Sequence, residues 1–307
     1  MTDQNQEKKF SLLISSAFYE VKAFSPYISS LINTIRFLNE AKIEWSYQQV
    51  CGDSYVDRAK NTLVHEFLKS DFTHMMIIDS DHAWDVMGFG KLLKAAILGE
   101  IDGLPIEVVC ALYPCKNNWD FFGGVESRSE DGFVMGKESD GVRLVAMDVA
   151  PGGFVIYSRN AFERTRPNLS TYIDPESKDE ILEAFKLNIE GREKKTKNQL
   201  SAMTHEDLVN EILTLQEPFA GGHRIGEDVY FQQRFKEMGG LVWCEPDIDI
   251  GHYGVKEWRG NFQDHLLTRK AQSEVDEALG ATEEETIDRM NSISENLKKI
   301  KDRKSCA

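Results

Sequence analysis

The sequence is short of what several large protein classes require. No apolar run approaches the roughly 20 residues of a membrane-spanning helix. The stretch Met1 to Lys9 has no apolar leader segment and runs straight into a strand-like segment, which predicts a cytoplasmic protein without a secretory signal. Cysteine is sparse and odd in number: the five residues Cys51, Cys110, Cys115, Cys244 and Cys306 are scattered, against a disulfide framework and in keeping with a reducing compartment. Cys110 and Cys115 lack a second pair at zinc-finger spacing, and Cys110 sits in the apolar run Val108 to Leu112 as a buried thiol would. Positive charge is in deficit, with Lys+Arg 36 against Asp+Glu 51 and a net charge of −15. Such a chain is no general polyanion binder, because counterion release needs cations clustered along a face; a local basic groove remains open. There is no internal repeat and no low-complexity tract. What is present is ordinary globular composition, 41% apolar and 28% charged over 307 residues, enough for one large α/β domain or two smaller ones.

The first half alternates strand and helix signals. Apolar runs at Phe10–Ser16, Glu44–Val50, Thr73–Asp79 and Ile106–Tyr113 predict strands. Helical spacing predicts helices over Ser25–Ala41, Tyr55–Leu68 and Phe89–Leu98, the second with Ala59, Leu63, Val64 and Phe67 as its inner stripe. This alternation means βαβ units and a sheet covered on both faces. After Pro114, shorter strands are predicted around Gly132–Met135, Val142–Met147 and Gly153–Tyr157. A polar insertion follows at 174–216, expected to be partly helical over Lys178–Ile189 and His205–Leu215. The Glu/Lys-rich tail 265–307 reads as surface helix, with a homodimer through it left open.

Three motifs carry candidate chemistry. Asp79-Ser80-Asp81 follows an apolar strand, so its carboxylates stand at the strand's C-terminal end, where ligands bind in doubly wound sheets. On an extended backbone, carboxylates at i and i+2 point the same way and gain from a shared divalent cation. Alone the pattern also describes a solvated turn, and Asp247-Ile248-Asp249 is a second copy. Glu227-Asp228 opens an amphipathic helix, a place the helix dipole favours for acids in any case. His252 lies between Gly251 and Gly254 with Lys256 and Arg259 beyond, an imidazole for a metal and cations for phosphate.

In this order, with Pro151-Gly152-Gly153-Phe154 between the first and second, the motifs resemble the GT-A class of glycosyltransferases, and more narrowly the nucleotide-sugar-dependent enzymes of bacteriophages and large viruses. The resemblance spans most of residues 10–260. It implies an α/β, Rossmann-like central mixed, mostly parallel sheet flanked by helices, with a catalytic domain over 1–264. It also implies a UDP-sugar donor with Mn²⁺ or Mg²⁺. By that resemblance Ser15, Ser16, Phe18 and Tyr19 would form the loop that holds base and ribose, while Arg58 and Asn61 would reach the donor. Asp79, Ser80 and Asp81 would serve ribose and metal, and His252 would be the late metal ligand. Gly153 would line the sugar pocket, Lys256 and Arg259 would clamp the diphosphate, and Asp228 beside Glu227 would be the general base of an inverting transfer. The basic stretch Arg192 to Lys197 would suit a DNA acceptor carrying a hydroxymethylated pyrimidine, in a host cytoplasm if a phage encodes the chain. A glycan or protein acceptor, or a non-catalytic nucleotide-binding protein on the same fold, stays open.

Overall fold

The computed structural model describes residues 9–20, 22–116, 121, 124–125, 136–186, 188–190, 204, 223–254 and 257–268. The first half is the predicted alternation: β1 (Ser11–Phe18), α1 (Ser25–Glu40), β2 (Glu44–Cys51), α2 (Val56–Lys69) and β3 (His74–Ile78). Then come β4 (His82–Trp84), α3 (Val86–Leu98), the hairpin β5 (Glu100–Ile101) with β6 (Leu104–Pro105), and β7 (Val108–Cys110). Local chemistry sets the ends. Asp85 caps α3 by accepting from the N–H groups of Met87 and Gly88, and Gly99 stops it at a φ of 71°.

The second half is richer in strands: β8 (Gly124–Val125), β9 (Gly136–Ser139), β10 (Val142–Val149) and β11 (Phe154–Ser158). After α4 (Arg159–Thr165) come β12 (Ser170–Ile173), β13 (Glu180–Glu183), β14 (Asn188–Glu190) and β15 (His223–Ile225). Helix α5 (Glu227–Glu237), β16 (Val242–Cys244), β17 (Asp249–Tyr253) and β18 (Glu257–Asn261) follow, with 262–268 helical.

One nine-stranded sheet organises the chain, in the order β2-β1-β3-β11-β7-β16-β10-β8 with β9 on β10. It is mixed: only β10 and β11 run against the other strands. Alternate residues of one strand serve opposite cores, which is why its runs are continuously apolar. Leu12 and Ile14 of β1 pack with Tyr27, Leu38 and Phe89 from α1 and α3. Leu13 packs with Leu63, Phe67, Phe162 and Phe231 from α2, α4 and α5. A smaller sheet, β18-β17-β4, sits where β3 ends.

Three local expectations change. Over Lys178–Ile189 the chain forms β13 and β14 rather than a helix. The Asp174 carboxylate accepts from the N–H groups of Glu176 and Ser177, and Lys178 takes a φ of 65°, so the chain turns into the β12–β13 hairpin. The residues Ser15 to Phe18 belong to β1 instead of a loop, and only Tyr19 stands beyond the strand. The reason is that their hydroxyls are satisfied in place: Gln48 donates to Ser15 Oγ at 2.8 Å, and Ser16 Oγ meets the Tyr27 hydroxyl at 2.6 Å. Finally, Asp79 to His82 is a turn closed by the His82 N–H on the Asp79 carbonyl at 3.2 Å, so the two-residue period of an extended chain does not apply. The predicted strand Gly132–Met135, the predicted helix His205–Leu215 and most of the tail lie outside the described residues. No helix among the described residues is long and apolar enough to cross a membrane.

One consequence of the packing is acid sensitivity. His74 stacks on Phe10 with ring centroids 4.4 Å apart, and burial pushes its pKa down from 6.5 to about 4. Below pH 6.5 the unfolded chain takes up a proton that the folded chain refuses, so stability falls as pH drops from about 6.5 toward 4. Between pH 7 and pH 4.5, urea unfolding of the wild-type protein should lose ~2–3 kcal/mol more than unfolding of His74→Phe. Equal losses would remove His74 as the cause.

Candidate functional site

The site forms at the C-terminal edge of the parallel strands. The turn after β3 delivers Asp79 and Asp81, and the chain goes directly into β4, whose first residue is His82. Strand β17 pairs antiparallel with β4 so that His252 stands opposite His82. Cross-strand partners share a face of the sheet, which brings the two rings to 4.7 Å between centroids. The Asp81 carbonyl accepts from the Tyr253 N–H at 2.8 Å and locks that turn onto β17. One ligand atom each from Asp81, His82 and His252 falls within 4.8 Å of the others.

The hydrogen bonds behind the histidines fix which nitrogen faces the cluster. His82 Nδ1 lies 3.0 Å from the Gly153 carbonyl and His252 Nδ1 lies 2.8 Å from the Pro114 carbonyl. A carbonyl only accepts, so each Nδ1 carries a proton and Nε2 is the ring nitrogen left for the cluster. Burial holds His82 down to about 4, hence neutral at pH 7. Its Nε2 and Asp81 Oδ1 are buried without a protein partner. Buried polar atoms without a partner are costly, and a divalent cation held by these residues would satisfy both. The donor set of one carboxylate and two imidazoles suits a manganese-like ion. Lys116 pairs with the other oxygen of Asp81, and His252 Nε2 is 3.7 Å from that oxygen.

A second arm carries carboxylates. Asp228, in the first turn of α5, accepts from the Gly152 N–H at 2.7 Å. Burial raises its carboxyl above the ordinary range, with Lys60 acting in the opposite sense and Glu227 adding to the rise. Gly152 and Gly153 are wedged between the arms. A Cβ on Gly152 would lie 2.6 Å from Asp228 Cβ. A Cβ on Gly153 would meet the Asp79 carboxylate, and would come to 2.5 Å from the Tyr113 hydroxyl and 2.6 Å from His82 Cε1. Only glycine fits that approach.

The other residues singled out in the sequence lie as follows. Asp79 points to the carboxylate arm, 4.0 Å from Lys60 Nζ, while Asp81 joins the histidines; Ser80 is half-buried in the turn between them. Ser15, Ser16 and Phe18 are buried in β1, whereas Tyr19 is 69% exposed at its end. Arg58 pairs with Asp53 at 2.7 Å and lies over the Tyr55 ring. Asn61 is buried, donating to the Phe185 carbonyl and accepting from the Phe185 N–H at 2.8 Å each. Arg259 pairs with Glu257 at 2.6 Å on its own strand. Lys256 and the basic stretch Arg192 to Lys197 lie outside the described residues.

Sequence reading passed over His82, Tyr113 and Lys60. Tyr113, whose hydroxyl accepts from the Gly153 N–H at 3.2 Å, packs on both histidine rings. The signal for His82 was its place directly after the Asp-x-Asp. The signal for Lys60 was a cation at i of an i, i+3, i+4, i+7 core stripe that continues with Leu63, Val64 and Phe67.

Gly153→Ala should therefore displace His82 and Asp79 together. The expected outcome is at least tenfold weaker Mn²⁺ binding by titration calorimetry, in a protein whose far-ultraviolet circular dichroism matches wild type. Unchanged affinity would separate the Gly153 carbonyl from the cluster.

No family model matches the chain, and no curated protein matches its sequence. Among solved structures, one match is the crystal structure of a glycosyltransferase involved in the glycosylation of the major capsid of PBCV-1, at 7% identity and a TM-score of 0.28. The match covers 50% of this chain and 62% of that one, less than two thirds of the neighbour's length. A likeness at this TM-score decides neither the fold nor the chemistry of this chain.

Proposed function

We propose that the chain is a metal-dependent glycosyltransferase that moves a sugar from a nucleoside-diphosphate donor, a UDP-sugar by preference, to an acceptor hydroxyl with inversion. The observation that carries this reading is the meeting, at one sheet edge, of a preset Asp81–His82–His252 cluster with a half-buried carboxylate, Asp228, on the opposite side of a Gly-Gly turn. The ordered motifs supply the reaction class. Asp81, His82 and His252 would hold the cation, and the Gly153 and Pro114 carbonyls would keep both imidazoles in the ligating tautomer. A divalent cation bound there supplies Lewis-acid stabilisation of the charge that develops on the departing diphosphate.

The chain's own residues do the rest. An acceptor hydroxyl has a high pKa and attacks well only as its proton leaves. In this reading Asp228 takes that proton, and burial, by raising its pKa, would make it a stronger base than a solvated aspartate. The Gly152 N–H holds one oxygen of Asp228 in a fixed direction. Asp79, aimed at the carboxylate arm rather than the histidines, is assigned to a donor hydroxyl. For the acceptor, DNA carrying a hydroxymethylated pyrimidine is the candidate offered by Arg192 to Lys197.

The test is to incubate the protein with Mn²⁺, a panel of nucleotide sugars and 5-hydroxymethylcytosine-containing DNA, then digest the DNA and weigh the nucleosides. A mass gain of one sugar is the expected result. Metal-dependent UDP release without a mass gain keeps the enzyme and removes DNA as acceptor, and neither signal overturns the reading. Asp81→Asn should abolish metal-dependent nucleotide binding. Asp228→Asn should lower kcat by roughly 10²–10⁴-fold while leaving Mn²⁺ binding in place.

A further inference from the structure

Lys60 lies on the face of α2 that packs against the sheet, 1% exposed, in a position where an apolar residue would be expected. Burying an ammonium is costly unless carboxylates surround it. Here they do. Its Nζ donates to Glu227 Oε1 at 3.0 Å and lies 4.0 Å from Asp79 Oδ1. The Phe185 ring covers it at 5.7 Å from the centroid, and the next residue, Asn61, holds Phe185 by both of its backbone polar groups. One ammonium thus joins three elements distant in sequence: α2, the end of β3 and the first turn of α5.

The start of α5 is where that tie bears on the site. Its N-cap is Gly226, with no side-chain cap; Asp228 and Gln232 tie the helix to Gly152 and Ala150, and Lys60 is the contact that ties its start to α2 and to Asp79. Its first two residues are the acids Glu227 and Asp228, which repel each other and Asp79 unless a cation sits between the elements that carry them. We propose that Lys60 is a positioning residue for the transfer reaction: it ties Glu227 to Asp79, and so holds Asp228 at a fixed place relative to the turn that carries Asp81 and His82. Lys60 is buried, so it acts through the carboxylates it holds, on the geometry of attack through Glu227 and Asp228 and on the donor contact through Asp79, and not through the metal arm. This inference rests on the glycosyltransferase reading.

The experiment compares wild-type protein with Lys60→Met, Lys60→Arg and the double variant Lys60→Met/Glu227→Gln, each checked by thermal unfolding. Mn²⁺ affinity and steady-state transfer are measured on all four. Displacing a base by a fraction of an ångström to an ångström costs about 10²-fold in rate. The expected result is a kcat lower by about tenfold to hundredfold in Lys60→Met, with Mn²⁺ affinity within about threefold of wild type and a change in donor KM smaller than the fall in kcat. Lys60→Arg should recover part of the loss. The double variant removes both partners of the ion pair, so it keeps the test informative if the single variant does not fold. It should be stable yet still slow. A stable double variant with wild-type kcat would reduce Lys60 to charge compensation and overturn the proposal while the enzyme reading stands. Loss of Mn²⁺ affinity in Lys60→Met would also overturn it, because the residue would then act through the metal arm. Absence of both transfer and nucleotide release in wild type would overturn reading and proposal together.

Discussion

The carbonyl of Gly153 accepts two hydrogen bonds, from the Asp79 N–H at 2.9 Å and from His82 Nδ1 at 3.0 Å. Most of the site hangs on that oxygen. The first bond carries the β3–β11 pairing one residue past the end of β3, so the turn leaves the sheet from a fixed point. The second selects the tautomer of His82. Both need the backbone of Gly153 to come closer to Asp79, Tyr113 and His82 than any side chain would allow. An antiparallel strand placed between β3 and β7 is therefore part of the chemistry, because it is β11 that brings the Gly-Gly turn to the end of β3.

Charge in this chain is arranged by scarcity of cations. Carboxylates from three segments converge within a small volume, and two lysines are set against them. Lys60 is buried in the arm that holds Asp79 and Glu227, while Lys116 is exposed and paired with Asp81 at the rim. A buried ion pair is weak evidence for stability, since desolvation offsets most of the attraction. Its presence on a core-facing helix stripe is better understood as a constraint on where acids may sit.

Much of the fold is legible in the sequence because parallel strands buried on both faces leave long apolar runs, and helices of two or more turns leave a period. The strand ending at Ile78 and the acidic start of α5 are of that kind. The site is less legible, for reasons that differ by residue. Asp79 and Asp81 are readable as a pair, but one backbone hydrogen bond turns them toward different neighbours. His82 belongs to a three-residue strand, too short to leave a pattern, and its partner across the ladder lies 170 residues further on. The serines of β1 look like a loop because polar residues in an interior strand are read as its end; Gln48 and Tyr27, from elements beyond the local window, satisfy them. Asp174 and Lys178 redirect a stretch of helical composition into a hairpin through a side-chain bond and a left-handed residue, neither of which hydropathy registers.

The order of strands in the sheet also governs when the site can exist. The central strands are laid down in the chain as β3, β7, β11 and β16, yet stand in the sheet as β3, β11, β7 and β16. Strand β17, which carries His252, is close to the end of the described chain and pairs with β4, made long before it. As the polypeptide emerges during synthesis, His82 and Asp81 are made well before their partner strand. Loops of this length close slowly relative to local helices. The Asp81–His82–His252 cluster is thus completed late, after the strands of the sheet that supports it have been made, and a chain arrested before β17 would carry the Asp-x-Asp turn without its His252 partner.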